Sequence, residues 1–429
     1  MKRRDFLKNS AVLYTVSLLP STIQAFTPNA RLRTAHIGVG GMGASDLNSI
    51  SSHPLVEVTA LCDVDANSLA AAQKLHPHAK VFSDYRKLFE EMSDSIDAVI
   101  VSTPDHTHAP ASMRAMEMGK PVYCQKPLTH HVSEARAMRK MAEDRNLVTQ
   151  MGIQIHSFNQ YRGTVQLIQS GIIGKVKTVR AWSPKNWGYD GPAPEGSDPV
   201  PNTLNWNLWL GTAPERPYKE KIYHPGNWRK LLDYGCGTLG DMGVHIFDTP
   251  YTALELDVPK TIKTSCRKPT GFGHPENNTV TYTFPGTQYT APTLKWVWYD
   301  GPGAPKDHKD LRLPDGEKLP DQGSMFIGEK GRLLLPHIDY PKLIVNGKYE
   351  KIDFPELEKK DHYHQFVDAC LGTDKTSAPF SYAARLTEAI LLGVVANRFP
   401  NKTLHWDNET SRFAEPEANQ LLDTKYRAF

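Results

Sequence analysis

Apolar residues in the first third of the chain come in short runs separated by mixed stretches. Arg33–Val39, Val56–Cys62 and Ala98–Ser102 read as buried strands, with Val122–Cys124 a shorter candidate. Between them Ala44–Ile50, Ala66–Leu75, Asp84–Met92, Pro110–Met118 and Ser133–Arg145 read as helices. Ser133 and Glu134 suit the cap and first turn of the last of these. This alternation predicts a parallel sheet wound on both sides by helices over residues 31–155. After His156 the texture changes. Gly174–Trp182, Thr261–Cys266, Thr279–Phe284 and Leu294–Tyr299 read as strands, several with period-two alternation. The proline-rich stretches Pro184–Pro201 and Pro302–Pro320 read as long surface loops, and helical runs return at Tyr363–Cys370 and Tyr382–Phe399. Residues 156–429 are therefore expected to form a second domain, an antiparallel sheet carrying a few helices.

A chain of 429 residues, 39% hydrophobic and 23% charged, suits two domains with substantial cores. The formal charge of +3 sits mostly at the start, where Lys2, Arg3, Arg4 and Lys8 face only Asp5. The remainder is balanced and has no basic surplus with which to release counterions from nucleic acid, so no nucleic-acid partner is expected. The five cysteines (Cys62, Cys124, Cys236, Cys266 and Cys370) are scattered, and no pair has metal-ligand spacing. Residues 1–30 differ from the rest. The basic start is followed by an apolar run, Ala11–Leu19, and by small residues up to Ala25. Arg3 and Arg4 followed by Phe6, Leu7 and Lys8 resemble a twin-arginine signal. A signal peptide with a linker is expected here, and with it a periplasmic or otherwise exported protein. The run is too short to span a bilayer stably, and no cysteine near its end offers a lipid attachment point, so no membrane anchor is expected.

The strongest local signal follows the first strand. Residues 35–43 contain Gly38, Gly40, Gly41, Met42 and Gly43 in a Gly-x-Gly-x-x-Gly turn, and an acid, Asp63, closes the next strand. Such glycines permit a tight turn, close backbone approach to a pyrophosphate, and packing of the following helix on the strand. Asp63 can accept hydrogen bonds from both ribose hydroxyls. It would repel a 2′-phosphate, and no Arg or Lys between Val64 and Leu69 offsets that. NAD is thus expected in preference to NADP.

Three further clusters carry chemistry. Thr103, Pro104 and the run to His108 follow the Ala98–Ser102 strand, where ligands sit in an open parallel sheet, so contact with the cofactor is expected there. His106 and His108 at i, i+2 are poor evidence for a metal. Gln125-Lys126-Pro127 ends the next strand, and a lysine at that edge can hold a substrate hydroxyl and adjust its acidity. Alone it is equally a solvated lysine before a turn. In the third cluster Asp241 and His245 share one helix face, and Asp248 can join it. An imidazole held by carboxylates is a general base near neutral pH. The alternative is a helix-start acid and a buried, satisfied histidine.

With these clusters the chain resembles the glucose-fructose oxidoreductase / inositol dehydrogenase family (Gfo/Idh/MocA) over nearly everything after Leu32. The family's Glu-Lys-Pro motif stands here as Gln125-Lys126-Pro127, and its Asp-x-x-x-His pair as Asp241 and His245. The resemblance implies a Rossmann domain and a C-terminal α/β domain with a large open, mainly antiparallel sheet that supports association into a homo-oligomer, a dimer or tetramer. It implies that Lys126 and His245 flank the reacting carbinol, with Asp241 assisting. Gln125 departs from the family's glutamate, which puts any charge at that position in doubt. Thr103, Pro104, His108, Gln125 and Lys126 are expected beside the cofactor, and His156, Trp228 and Arg229 beside the substrate. Trp182, Trp187, Trp206 and Trp209 are further aromatic candidates for a sugar face. His130-His131 and His362-x-His364 supply no complete ligand set, so no metal is expected.

The leading expectation is an NAD-dependent dehydrogenase of sugars or glycosides with a tightly held cofactor. A glycoside hydrolase that works by transient oxidation is the alternative. A non-catalytic sugar-sensing protein is a third reading, against which the joint presence of Lys126, Asp241 and His245 argues.

Overall fold

The computed structural model describes residues 31–305 and 307–429. The signal expected within residues 1–30 lies outside the described residues. The first domain is a six-stranded parallel sheet in the order β3-β2-β1-β4-β5-β6. Its strands are β1 (Leu32–Ile37), β2 (Val56–Cys62), β3 (Lys80–Phe82), β4 (Ala98–Val101), β5 (Val122–Gln125) and β6 (Thr149–Gly152). Helices α1 (Met42–Ser51), α2 (Ala66–Leu75), α3 (Tyr85–Met92), α4 (Asp105–Glu117) and α5 (Val132–Asp144) connect them. Ile37 pairs with both Cys62 and Val101, so β1, β2 and β4 end level with one another. The loops beyond Ile37, Cys62 and Val101 therefore share one edge, at the point where the strand order reverses.

The central strands have the composition that double coverage demands. β4 reads Ala-Val-Ile-Val and is buried throughout. β3 and β6 were not visible in the sequence pattern, being three and four residues long with no sustained apolar run. Helix α4 begins at Asp105, five residues before the expected Pro110. The chain tolerates Pro110 inside it because the carbonyl of His106, which Pro110 cannot serve, accepts from Thr212 Oγ1 at 3.5 Å.

The second domain starts with α6 (Asn159–Gln169) and β7 (Val176–Ser183), followed by α7 (Trp206–Leu210) and α8 (Val244–Ala253). Then come β8 (Thr261–Ser265), β9 (Thr279–Pro285), β10 (Thr290–Asp300), β11 (Gly323–Gly328), β12 (Arg332–Pro336), β13 (Lys342–Val345) and β14 (Lys348–Glu350). The chain ends with α9 (His362–Cys370), α10 (Phe380–Ala396), β15 (Thr403–Asp407), β16 (Arg412–Phe413) and α11 (Pro416–Asn419). The ten strands form one sheet in the order β14-β13-β12-β11-β7-β10-β9-β8-β15-β16. Only the β7–β10 pair is parallel. This is the large, mainly antiparallel sheet expected. Strand β9 alternates buried and half-buried positions, and α8 and α10 lie against the buried side of the sheet.

α10 also packs on α5 of the first domain. One apolar core consequently runs from Ala35 and Val99, through Leu386 and Ile390, to Phe247 and Trp296, whose rings stack at 4.0 Å. The lobes are thus fixed to each other by buried side chains rather than by a linker.

Candidate active site

The glycine turn closes the β1 edge. Gly38 adopts φ +81°, and a Cβ there would lie 2.7 Å from the Ser102 carbonyl oxygen. A Cβ on Gly43 would fall on the Gly38 carbonyl. Both positions demand the smallest residue. Gly41 precedes α1, and no side chain caps that helix, which leaves its N-terminus open to an anionic group. Asp63 is buried beside this turn. Its Oδ2 accepts from the Val39 N–H (2.8 Å) and its Oδ1 from the Asp65 N–H (2.9 Å). Burial raises its pKa, against the pull of these backbone donors.

Asp63 lines a cleft of about 490 Å³ whose far wall is Val200 and residues 202–206 of the second domain. That wall is a strap tied down by two backbone hydrogen bonds. The Ala66 N–H donates to Thr203 O at 2.8 Å, and the Asn205 N–H donates to Val64 O at 2.9 Å. Turn, uncapped helix, acid and cleft together fit a dinucleotide, with Gly38, Gly40, Gly41, Met42 and Gly43 under the phosphates and Asp63 at a ribose.

Beyond β5 the Lys126 ammonium donates to Asp241 Oδ1 at 2.8 Å and to the Asp241 carbonyl at 3.1 Å. Asp241 sits in a π turn, Leu239–Gly243, that leads straight into α8. Its Oδ2 accepts from Trp187 Nε1 at 2.6 Å, and Arg229 Nε stands 3.4 Å from its Oδ1. Burial works to raise the pKa of this carboxyl. The charges of Lys126 and Arg229 outweigh it, and with hydrogen bonds from Lys126 and Trp187 they hold it well below the usual range.

The expected grip of Asp241 and Asp248 on the His245 imidazole is not what the structure shows. Asp241 is taken by a lysine, an indole and a guanidinium, which a neutral ring cannot displace. Asp248 instead holds His156 Nδ1 at 2.9 Å and accepts from Tyr382 Oη at 2.6 Å. His245 Nδ1 is sealed without a partner. Burial, followed by the charge of Lys126, pushes the His245 pKa well below its ordinary value, so the ring is neutral. The carboxylate-held imidazole is His156. Burial lowers its pKa, but Asp248 more than reverses that.

Two residues expected beside the cofactor are engaged by protein groups. Gln125 is buried and donates to both oxygens of Asp46 at 2.9 Å. A glutamate there would set two acids against each other, which accounts for the amide. His108 is buried between the carbonyls of Thr103 (2.8 Å) and Pro127 (2.9 Å), so it ties the Thr103-Pro104 loop to the turn that carries Lys126. Trp228 was expected to offer a stacking face. It is buried in an aromatic cluster with Trp209, Tyr223 and Tyr234, and the Arg229 guanidinium covers its ring at 4.2 Å. The indole at the site is Trp187, with Arg229 5.8 Å over its ring. Arg229, expected beside the substrate, stands beside Asp241.

The site also contains residues that sequence reasoning did not select. Asp105, at the start of α4, accepts from the Cys236 N–H at 3.1 Å and feels Arg229, Lys126 and Asp241; burial raises its pKa to about 7. Lys185, in the proline-rich loop, acts electrostatically on His245. The His337 ring centre lies 6.0 Å from that of His245. None sits in a recognisable motif. Asp105 alone could have been found, as an acid in the loop already marked by its position after β4. Among the described residues, no cluster of three or more His, Cys, Asp or Glu side chains could hold a metal.

A doubly wound sheet with this turn and a lysine at its edge, joined to an open-sheet domain that brings an aspartate and a histidine to that lysine, defines a nucleotide-dependent oxidoreductase architecture. Residues 32–153 match the model of the oxidoreductase family NAD-binding Rossmann fold, and residues 160–276 match that of its C-terminal α/β domain. The chain belongs to the Gfo/Idh/MocA oxidoreductase family and carries its NAD-binding domain. It is 35% identical to a glycosyl hydrolase family 109 protein of Stenotrophomonas maltophilia, over 29% of each chain. It is 30% identical to an inositol 2-dehydrogenase of Rubrobacter xylanophilus, over 35% of this chain and 44% of that one. The similarity thus spans less than half of these curated relatives. An inositol dehydrogenase homologue of Azotobacter vinelandii, solved with NADH and myo-inositol, superposes with a TM-score of 0.60 at 16% identity, covering 88% of this chain and 98% of that one.

Proposed function

We propose that the protein transfers a hydride between a carbinol of a sugar, polyol or glycoside and an NAD held in the cleft beside Asp63. The observation that carries this reading is the clasp of Lys126 on Asp241 next to a neutral, buried His245. Bound NAD supplies the hydride acceptor. The chain supplies the rest. His245 Nε2, the ring nitrogen left open, takes the hydroxyl proton as the carbinol carbon becomes a carbonyl. Lys126 donates to the substrate oxygen as negative charge grows on it. Asp241 fixes Lys126 through ion pair and carbonyl. Arg229 and Lys185 make the surroundings positive, which favours the alkoxide-like oxygen. Asp63 accepts from the ribose hydroxyls and disfavours a 2′-phosphate.

The likeness to a family 109 hydrolase supports a second reading, in which oxidation is transient and a glycosidic bond is cleaved before the hydride returns. One incubation separates the readings. The protein is mixed with myo-inositol, D-xylose, levoglucosan and a set of aryl glycosides, and products are followed by mass spectrometry. A keto product supports the dehydrogenase, net free sugar the hydrolase, and tight binding with neither product a sensor.

We also read residues 1–30 as a twin-arginine signal. Export away from the cytoplasmic NAD pool then requires the same cofactor molecule to be recycled by a second sugar or carbonyl compound. Changing Arg3 and Arg4 together to lysine should trap the precursor in the cytoplasm; unimpaired appearance outside the inner membrane removes this reading. The open ten-stranded sheet supports association of like subunits.

A further inference from the structure

His337 stands on the turn between β12 and β13, outside every motif used so far. Its backbone N–H donates to the Gln322 carbonyl at 3.0 Å, and its Nδ1 lies 2.7 Å from Tyr161 Oη on α6. The next residue, Ile338, holds φ +64°, a left-handed conformation that is costly for a β-branched side chain. Its side chain is 54% exposed and does not account for that cost. The Ile338 N–H donates to the same Tyr161 Oη at 3.3 Å, which holds the backbone in place.

One arrangement of the protons gives every hydrogen at this contact a partner. Tyr161 Oη accepts from the Ile338 N–H, and burial pushes the Tyr161 pKa up, so the phenol keeps its hydrogen. That hydrogen goes to His337 Nδ1. The neutral His337 ring therefore carries its own hydrogen on Nε2. Burial lowers the His337 pKa to about 4, with Lys126 and Lys185 adding to the effect, so the ring is neutral in the ordinary pH range. The His245 and His337 ring centres lie 6.0 Å apart, so with His245 Nε2 as the acceptor of the carbinol reading the two rings form a complementary pair, one acceptor and one donor. That separation leaves room for two neighbouring oxygens of one small molecule.

We propose that His337 is a substrate-binding residue whose Nε2–H donates to the oxygen adjacent to the reacting carbinol, that it selects 1,2-diols, and that Tyr161 is the positioning residue that fixes its tautomer. This rests on the carbinol reading above, which places His245 at the reacting hydroxyl. A substrate lacking the neighbouring oxygen would leave a half-buried donor without a partner, which costs about one hydrogen bond.

The test uses the full chain with its cofactor and whichever of myo-inositol, D-xylose and levoglucosan reduces bound NAD fastest. H337F should raise KM about tenfold while kcat changes less than threefold. H337Q, whose amide can donate, should recover most of the loss, and Y161F should raise KM by a few fold. NAD affinity should be unchanged in all three. A KM for H337F within twofold of the unaltered protein overturns the proposal. A second measurement does not depend on turnover. In histidine-labelled protein, ¹⁵N NMR, with H337Q identifying the signal, should show His337 as the Nε2–H tautomer from pH 6 to 9, and Y161F should convert it to a mixture. An Nδ1–H tautomer overturns the proposal. If no polyol reduces the cofactor, the carbinol reading falls, and the tautomer measurement alone decides whether His337 presents a fixed donor.

Discussion

Asp105 is an acid placed where an acid is costly. Its carboxyl is buried, and its pKa of about 7 lies far above the unfolded value of 3.8. Between pH 4 and 7 the unfolded chain releases this proton while the folded chain keeps it, so stability falls as pH rises and levels off above about 7. Asp105→Asn keeps an acceptor for the Cys236 N–H and removes the titration. The variant should gain on the unaltered protein by up to about 4 kcal/mol from pH 4 to pH 7, at 1.36 kcal/mol per pKa unit. Denaturant melts at the two pH values check this, and an unchanged difference would refute it. Asp63 gives a second expectation. Asp63→Ala should narrow the preference for NAD over NADP, read by calorimetry with each dinucleotide, because ribose contacts and 2′-phosphate repulsion vanish together. At the chemistry, Lys126→Ala and His245→Ala should leave NAD binding nearly intact and slow single-turnover reduction of the bound cofactor by roughly a hundredfold or more, the scale of acid–base assistance. Asp241→Asn should be intermediate. Turnover of both alanine variants at the unaltered rate would remove the assigned site. Residue types and positions at this scale were legible, and partnerships were not. Nothing in the spacing of Asp241, His245 and Asp248 says that the first acid serves Lys126 and the last serves His156, because those partners arrive from β5 and from the crossover after β6.

Among elements, the glycine turn and α1 follow from sequence because their chemistry is local. Gly38 and Gly43 are each required by a backbone atom, on the adjoining β4 edge and within the same βα unit respectively. Gly43→Ala would put a methyl on the Gly38 carbonyl and push α1 off β1. It should weaken NAD binding by at least tenfold while leaving the second domain's sheet signal in circular dichroism intact; unchanged affinity would show that the helix does not hold the phosphates. Four of the six strands of the doubly wound half were read to within two residues, as at Val56–Cys62, while β3 and β6 were too short to show. Those from Gly323 to Glu350 were missed. They are short and lie after a proline-rich stretch; β11 joins the sheet by pairing with β7, well over a hundred residues earlier in the chain, and β12, β13 and β14 then add one after another at its outer side. His337 was lost with them, since its place at the site depends on that pairing.

Across the whole molecule, the shared core through α5 and α10 predicts one cooperative unfolding transition rather than two. NAD at about a hundred times its Kd should shift that single transition by about 2.7 kcal/mol, and a melt resolving two steps would contradict the shared core. The change from a wound parallel sheet to an antiparallel one was legible in the texture of the sequence, whereas the return of α10 to the first domain was not, because an apolar helix does not state which partner covers it. The strap at residues 203–205 bears on time rather than affinity. For a cofactor whose adenosine end lies in the cleft this strap walls, parting of the two backbone hydrogen bonds to Val64 and Ala66 would be a local opening with its own frequency, separate from the depth of the binding well. Two relatives with equal affinity for NAD can therefore differ widely in how long each molecule retains the oxidation state left by its last encounter. On the carbinol reading, that memory would then be held by a few residues of loop far from the reacting carbon.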